Sequence, residues 1–114
     1  MTGKSSMNPR RGEIWWVNLD PSKGREIKKH RPCVIVSADW LNSKRSTPIV
    51  VPLSASPDTA PPVVVAVPSA GADSVAVVDQ VRAVDKSRFT HTTGSVSRAD
   101  LTLLESALRQ VLQL

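Results

Sequence analysis

The sequence predicts a mainly β domain: a small, largely antiparallel sheet or partly closed barrel with one helix packed against it. Three observations carry this reading. Short β-branched segments recur at close spacing, turn residues punctuate them, and only the C-terminal stretch shows helical periodicity. The chain has 114 residues, 40% hydrophobic and 22% charged, which suits one domain with a modest core. We divide it into a polar, unpatterned, flexible tail over 1–10 and a single domain over 11–114. The longest apolar run, Val63–Val67, falls far short of the ~20 residues that cross a bilayer. No apolar segment follows the cations Lys4, Arg10 and Arg11, so neither a membrane span nor a secretory leader is expected.

Each element has a local reason. Glu13–Leu19 is β-branched and aromatic between Gly12 and Asp20-Pro21, so it reads as a strand. Ser22–His30 is a long charged loop. Pro32–Ala38 is a strand apolar on both faces, as a buried one should be. Asp39–Ser43 fits one helical turn. Ile49–Ser54 and Val63–Val67 are two more strands, separated by the Pro-bearing connection Ser56–Pro62. After a turn at Ser69–Asp73, a long strand over Ser74–Val84 would place Gln80 and Arg82 on one face and Val81 and Ala83 on the other. Asp85–Arg88 reads as a tight turn and Thr92–Val96 as a short last strand. Ser97–Gln113 is the helix. Ser97 and Asp100 form a capping box, and Leu101, Leu104, Leu108, Val111 and Leu112 make an apolar stripe that Ala99, Leu103 and Ala107 widen.

The net charge is +5, and its placement says more than its size. Lys23, Arg25, Lys28, Lys29, His30 and Arg31 crowd into nine residues. A solvated loop and a polyanion-facing surface both fit that cluster. The familiar phosphate loops and nucleophile elbows are absent. Two histidines and one cysteine, none at ligand spacing, argue against a metal site, and the carboxylates are too scattered for two-metal chemistry. His91 neighbours nothing that resembles a nucleophile. Cys33, alone inside Pro32-Cys33-Val34-Ile35-Val36, reads as a buried core residue in a reducing compartment. What remains is Glu26 and Arg31 flanking the basic loop, Ser54 after the third strand, and Gln80 with Arg82. An arginine fork matches phosphate geometry, a hydroxyl can hydrogen-bond a phosphoryl oxygen, and a carboxylate can accept a proton. Ordinary surface polar residues would look the same.

The run Arg11-Gly12-Glu13-Ile14-Trp15-Trp16-Val17-Asn18-Leu19-Asp20-Pro21, then Gly24-Arg25-Glu26 and Arg31-Pro32-Cys33-Val34-Ile35-Val36-Ser37, resembles the MazF family of toxin endoribonucleases. Val50-Val51-Pro52-Leu53-Ser54, Asp79-Gln80-Val81-Arg82, Asp85-Lys86-Ser87-Arg88 and Gly94 extend the match in order to the last helix. The resemblance implies an SH3-like, partly open β-barrel of the MazF/CcdB type, assembled as a homodimer in the cytoplasm. It implies metal-independent, cofactor-free cleavage of single-stranded RNA, often mRNA, to 2′,3′-cyclic phosphate and 5′-hydroxyl ends. A cognate MazE-like antitoxin would bind the dimer in a toxin–antitoxin hetero-oligomer and block the RNA groove.

By position, Arg31 matches the family's catalytic arginine and Glu26 an acidic residue at the mouth of the site. Ser54 stands where threonine is usual, so its hydroxyl is less pre-organised and slower turnover is expected. We assign the general base to Glu26 and charge stabilisation to Arg31 and Ser54, since a guanidinium with a pKa above ~12 is a poor base. Lys23, Arg25, Lys28, Lys29, His30, Gln80, Arg82 and Trp16 are the candidate RNA contacts. Trp15 and Trp16 point to opposite faces of one strand, one into the core and the other toward a dimer interface or an RNA base. Two alternatives share the fold. A non-catalytic nucleic-acid-binding barrel is disfavoured by the retained Arg31 and Ser54 hydroxyl. A CcdB-type gyrase poison depends on a C-terminal Trp-Gly-Ile, where this chain reads Val111-Leu112-Gln113-Leu114.

Overall fold

The computed structural model describes residues 8–19 and 30–114. Seven strands form one sheet in the order β4–β5–β3–β2–β1–β7, with β6 also on β3, and every pairing is antiparallel. The strands are β1 (Glu13–Asn18), β2 (His30–Ile35), β3 (Ile49–Ala55), β4 (Val64–Ala66), β5 (Ser74–Val77), β6 (Arg82–Ala83) and β7 (Phe89–Ser95). Two helices accompany them, α1 (Asp39–Lys44) and α2 (Arg98–Leu112). The sheet is open, as the sequence leads one to expect of a partly closed barrel.

Alternation along the three central strands feeds two cores. Ile14, Val34, Val51 and Leu53 join Ala76 of β5, Val78 just after it, and Leu104 and Ala107 of α2. Their neighbours Trp15, Val17, Cys33, Ile35 and Val50 join Leu19, Val84 and Phe89 on the opposite face. This is why Pro32–Ala38 reads apolar on both sides. Leu104 is fully enclosed, and truncating such a residue to alanine costs about 2–5 kcal/mol. The stripe on α2 is narrower than its apolar count suggests: Ala99 and Leu103 are exposed, as is Leu112. Leu103 instead borders a surface groove with Pro61, Pro62, Val65 and Ala66.

The helix cap is also more elaborate than a two-residue box. The Asp100 amide donates to Ser97 Oγ at 3.1 Å. The Asp100 carboxylate accepts instead from the amide and hydroxyl of Ser69, and Ser69 Oγ accepts from the Ser97 amide. Ser69 thus relays the return bond and ties the helix start to the 3-10 turn at Pro68–Ala70. Just before β1 Pro9 is buried, and the Glu13 carboxylate accepts from the Arg10 amide and from Trp15 Nε1.

The continuous strand expected over Ser74–Val84 is broken. Leu53 pairs with Ala76, so an unbroken strand would set Val50 opposite Asp79, yet Val50 pairs with Arg82. A 3-10 turn at Val78–Gln80 takes up the three extra residues. Gln80 and Arg82 therefore do not share one regular strand face. The last strand is longer than Thr92–Val96 and carries two irregularities. Its register on β1 shifts between Ile14 and Trp15 and again between Trp16 and Val17. At these bulges threonine hydroxyls bond carbonyls of β1: Thr92 Oγ1 donates to Ile14 O at 2.8 Å and Thr90 Oγ1 to Trp16 O at 3.1 Å. Gly94, with φ of 131°, supplies backbone geometry that an L side chain rarely adopts.

Candidate functional site

The site begins with strand register. Cys33 of β2 pairs with Pro52 of β3; two residues further along the same antiparallel register, Arg31 falls level with Ser54. On its other side Arg31 pairs with Val17 of β1, and Ser54 pairs with Val75 of β5. Side chains level with one another in this way stand within reach of a common ligand, their Cβ atoms ~5 Å apart. Both residues line a cavity of about 230 Å³ with Trp16, Pro32, Leu53, Ala55 and Ser74. Arg31 and Ser54 are each half-buried, so the walls are partly dry and the cavity remains open to a ligand.

Among the described residues no acceptor lies on the Arg31 guanidinium. Its charge is held in place by the strand and left available to an anion. The neighbouring Cys33 is fully enclosed, and burial pushes its thiol from 9.0 up to about 12, against a smaller opposing pull from Arg82 and Arg31. It is a core residue, as its sequence context indicates, and not a nucleophile. Among the described residues no three His, Cys, Asp or Glu side chains gather as metal ligands.

Burial resolves the tryptophan pair. Trp15 is buried, with an edge-to-face contact to Phe89 at 5.9 Å. Trp16 is half-buried and walls the cavity. Two imidazoles meet it from outside the cavity lining. His91 stacks on the indole with ring centroids 6.1 Å apart and planes 14° apart, and His30 approaches to 5.1 Å. Thr90 Oγ1 joins the two, at 2.8 Å from His30 Nε2 and 3.1 Å from His91 Nδ1. Nothing beside His91 along the chain points to a role for it or for Thr90; the polar run Thr90-His91-Thr92-Thr93 before Gly94 is the available signal of a bulged edge strand.

The other expected residues divide plainly. Gln80 and Arg82 do not line the cavity. Arg82 sits at the far end of β3 opposite Val50, and Gln80 in the 3-10 turn. Glu26, Lys23, Arg25, Lys28 and Lys29 lie outside the described residues. So does the long charged loop expected over Ser22–His30, except for its last residue, His30.

The profile of the PemK-like, MazF-like toxin family of type II toxin–antitoxin systems matches residues 10–112. The chain belongs to the MazF-like toxin family. It is 36% identical to endoribonuclease MazF9 of Mycobacterium tuberculosis over 114 aligned residues, covering 92% of this chain and 97% of that protein. It is 31% identical to the endoribonuclease toxin MazF of Escherichia coli K12, covering 88% and 90%. Among solved structures, MazF from Deinococcus radiodurans superposes with a TM-score of 0.82 at 23% identity, over 93% of this chain and 97% of that one. A mycobacterial endoribonuclease in complex with its cognate antitoxin gives a TM-score of 0.75 at 23% identity, over 94% and 95%. At such identities the structural likeness speaks for the MazF fold alone. The profile match and the two MazF relatives establish the family. No helix among the described residues is long and apolar enough to cross a membrane.

Proposed function

We propose that this chain is the toxin of a type II toxin–antitoxin pair and arrests translation by cutting single-stranded RNA, mRNA above all, at a short sequence. The observation that carries this reading is the cavity in which Arg31 and Ser54 stand level across β2 and β3 beside an accessible indole. The ribose 2′-oxygen attacks the adjacent phosphorus, the 2′-O–P bond forms and the P–O5′ bond breaks. The products carry a 2′,3′-cyclic phosphate and a 5′-hydroxyl. The substrate supplies the nucleophile, so the protein must take one proton, return one to the 5′-oxygen and stabilise the crowded phosphorane. Glu26 takes the 2′-OH proton. Arg31 clamps the phosphoryl oxygens with its fork and donates toward the leaving oxygen, and the Ser54 hydroxyl binds the developing charge.

The chain acts in the cytoplasm as a homodimer, bound in the resting state by a MazE-like antitoxin whose extended segment competes with RNA for the positively charged groove. The basic loop residues with His30 and Trp16 guide the strand, and Gln80 and Arg82 extend its path along the sheet. The test is incubation of the purified protein with mixed RNA in EDTA, with cut sites and end groups mapped. Cleavage to cyclic-phosphate ends is the expected result. Activity on an all-deoxy version of the target, or loss of RNA cleavage in EDTA, refutes the mechanism.

A further inference from the structure

His91 has no part in the mechanism above and His30 only guides the strand, yet both are arranged about one of its walls. We propose that His91, held by the Thr90 bulge and seconded by His30, is a positioning residue that sets the Trp16 indole as a stacking platform for a nucleobase next to the scissile phosphate. This rests on the RNA-cleavage reading and deepens it.

Three observations carry the inference. First, the rings are layered: His91 lies nearly parallel to Trp16 and His30 leans on the same indole, while neither imidazole lines the cavity that Trp16 walls. The rings pack on the indole from the two strands that flank β1, and the part of the indole that walls the cavity stays open to a ligand. Second, the hydrogen bonds fix the arrangement. A hydroxyl has one proton and two lone pairs. Thr90 Oγ1 donates its proton to Trp16 O, so both imidazole nitrogens must donate to it, His30 through Nε2–H and His91 through Nδ1–H. Every capacity of the hydroxyl is used, and both ring orientations are set by the backbone of the residue they support. Third, the arrangement depends on an extra residue. His91 pairs with Trp16 and Phe89 with Val17, so the shift between them leaves Thr90 as the extra residue of β7. His30 and His91 are both exposed, so the cluster buries little apolar surface and contributes little to folding.

An indole on an open strand otherwise loses rotamer freedom when a base stacks on it. Rings already packed against it remove that cost before RNA arrives, and stacking tolerates any base because each has a π-face. The platform therefore adds affinity at one nucleotide without reading its identity.

The experiment uses short RNAs carrying the mapped cut sequence, intact or with one abasic nucleotide at each flanking position. Wild-type protein should show a raised KM for the abasic substitution at one position. His91→Ala should raise KM for intact RNA by about 10-fold with kcat nearly unchanged, and should erase the abasic penalty at that position, within the range seen when one stacking partner is removed. Trp16→Ala should erase the same penalty, and His91→Phe, which keeps a flat ring, should restore most of it. An unaltered melting temperature in His91→Ala separates positioning from folding. A His91→Ala protein with wild-type KM and an intact abasic penalty overturns the proposal, as does a His91→Phe protein no better than alanine. If wild-type protein cleaves no RNA at all, the nuclease reading falls and this one with it; cleavage with indifferent His91 variants refutes the platform alone.

Discussion

Arg11 and Arg31 carry the same guanidinium on the same sheet and are used in opposite ways. Arg11, in the turn before β1, spends its donors inside the fold: Nη1 bonds Val36 O, Nη2 pairs with Glu105 of α2, and its amide donates to Asp39 Oδ1 at 2.7 Å. Arg31 stands mid-sheet in β2, half-buried, with no acceptor among the described residues and a cavity before it. One cation joins the first strand to the last helix. The other stands between β1 and β3 at the wall of a cavity. A guanidinium bound to structural acceptors cannot also clamp a phosphate, so the partners of an arginine reveal its role better than its exposure does.

The sharpest way to break this comparison is to exchange the phenotypes. Arg31→Ala should lower kcat by on the order of 10³, the upper end for losing one preorganised donor to a developing anion, with the melting temperature unchanged. Arg31→Lys should be nearly as damaging, because it keeps the charge and loses the bidentate fork. A lysine variant near wild-type rate would show that a point charge suffices. Next, Ser54→Ala should cost about 10²-fold in kcat, and Ser54→Thr should match or exceed wild type by stiffening χ1; single-turnover rates on a mapped RNA decide both.

Arg11→Ala should show the reverse pattern, losing about 1–3 kcal/mol of stability in urea unfolding while each folded molecule keeps its cleavage rate. Equal losses of activity from Arg11 and Arg31 variants at full folding would erase the distinction. Near neutral pH the smallest effect concerns Cys33. Its thiol is raised to about 12 in the folded state from 9.0, so the native chain holds a proton that the unfolded chain releases earlier. Stability is therefore intact below pH 9 and falls as pH climbs toward 12, with a slope of at most about 1.4 kcal/mol per pH unit. Cys33→Ala should flatten that slope in urea titrations, and at pH 8 iodoacetamide should label Cys33 only after unfolding.

The fold was legible wherever a local rule and a tertiary demand agreed. Ile49–Ser54 follows from its run of β-branched residues, and the Ser97 cap from capping chemistry. The break at Val78–Gln80 was not legible, because it arises from two registers on one edge of β3 that differ by three residues, and no residue in Ser74–Val84 announces it. The stripe on α2 was overread for a similar reason: periodicity marks Leu103 as apolar but cannot say that the sheet ends before reaching it. At the site, Arg31 and Ser54 emerged from motif resemblance, and only register shows that they stand level. Trp16 could not be told from Trp15 by alternation alone. His91 was missed because a bulge, which breaks period two, carries it to the indole.

The bulges of β7 also bear on how copies of the molecule avoid one another. A seven-residue strand at the margin of a sheet, rich in threonine and free of acidic or lysine side chains, would ordinarily be a template for fibrillar stacking. Two bulges interrupt its donor–acceptor rhythm and bend it, so a second flat strand finds no run of evenly spaced partners. The distortion that swings an imidazole onto Trp16 thus guards the sheet margin against self-templating.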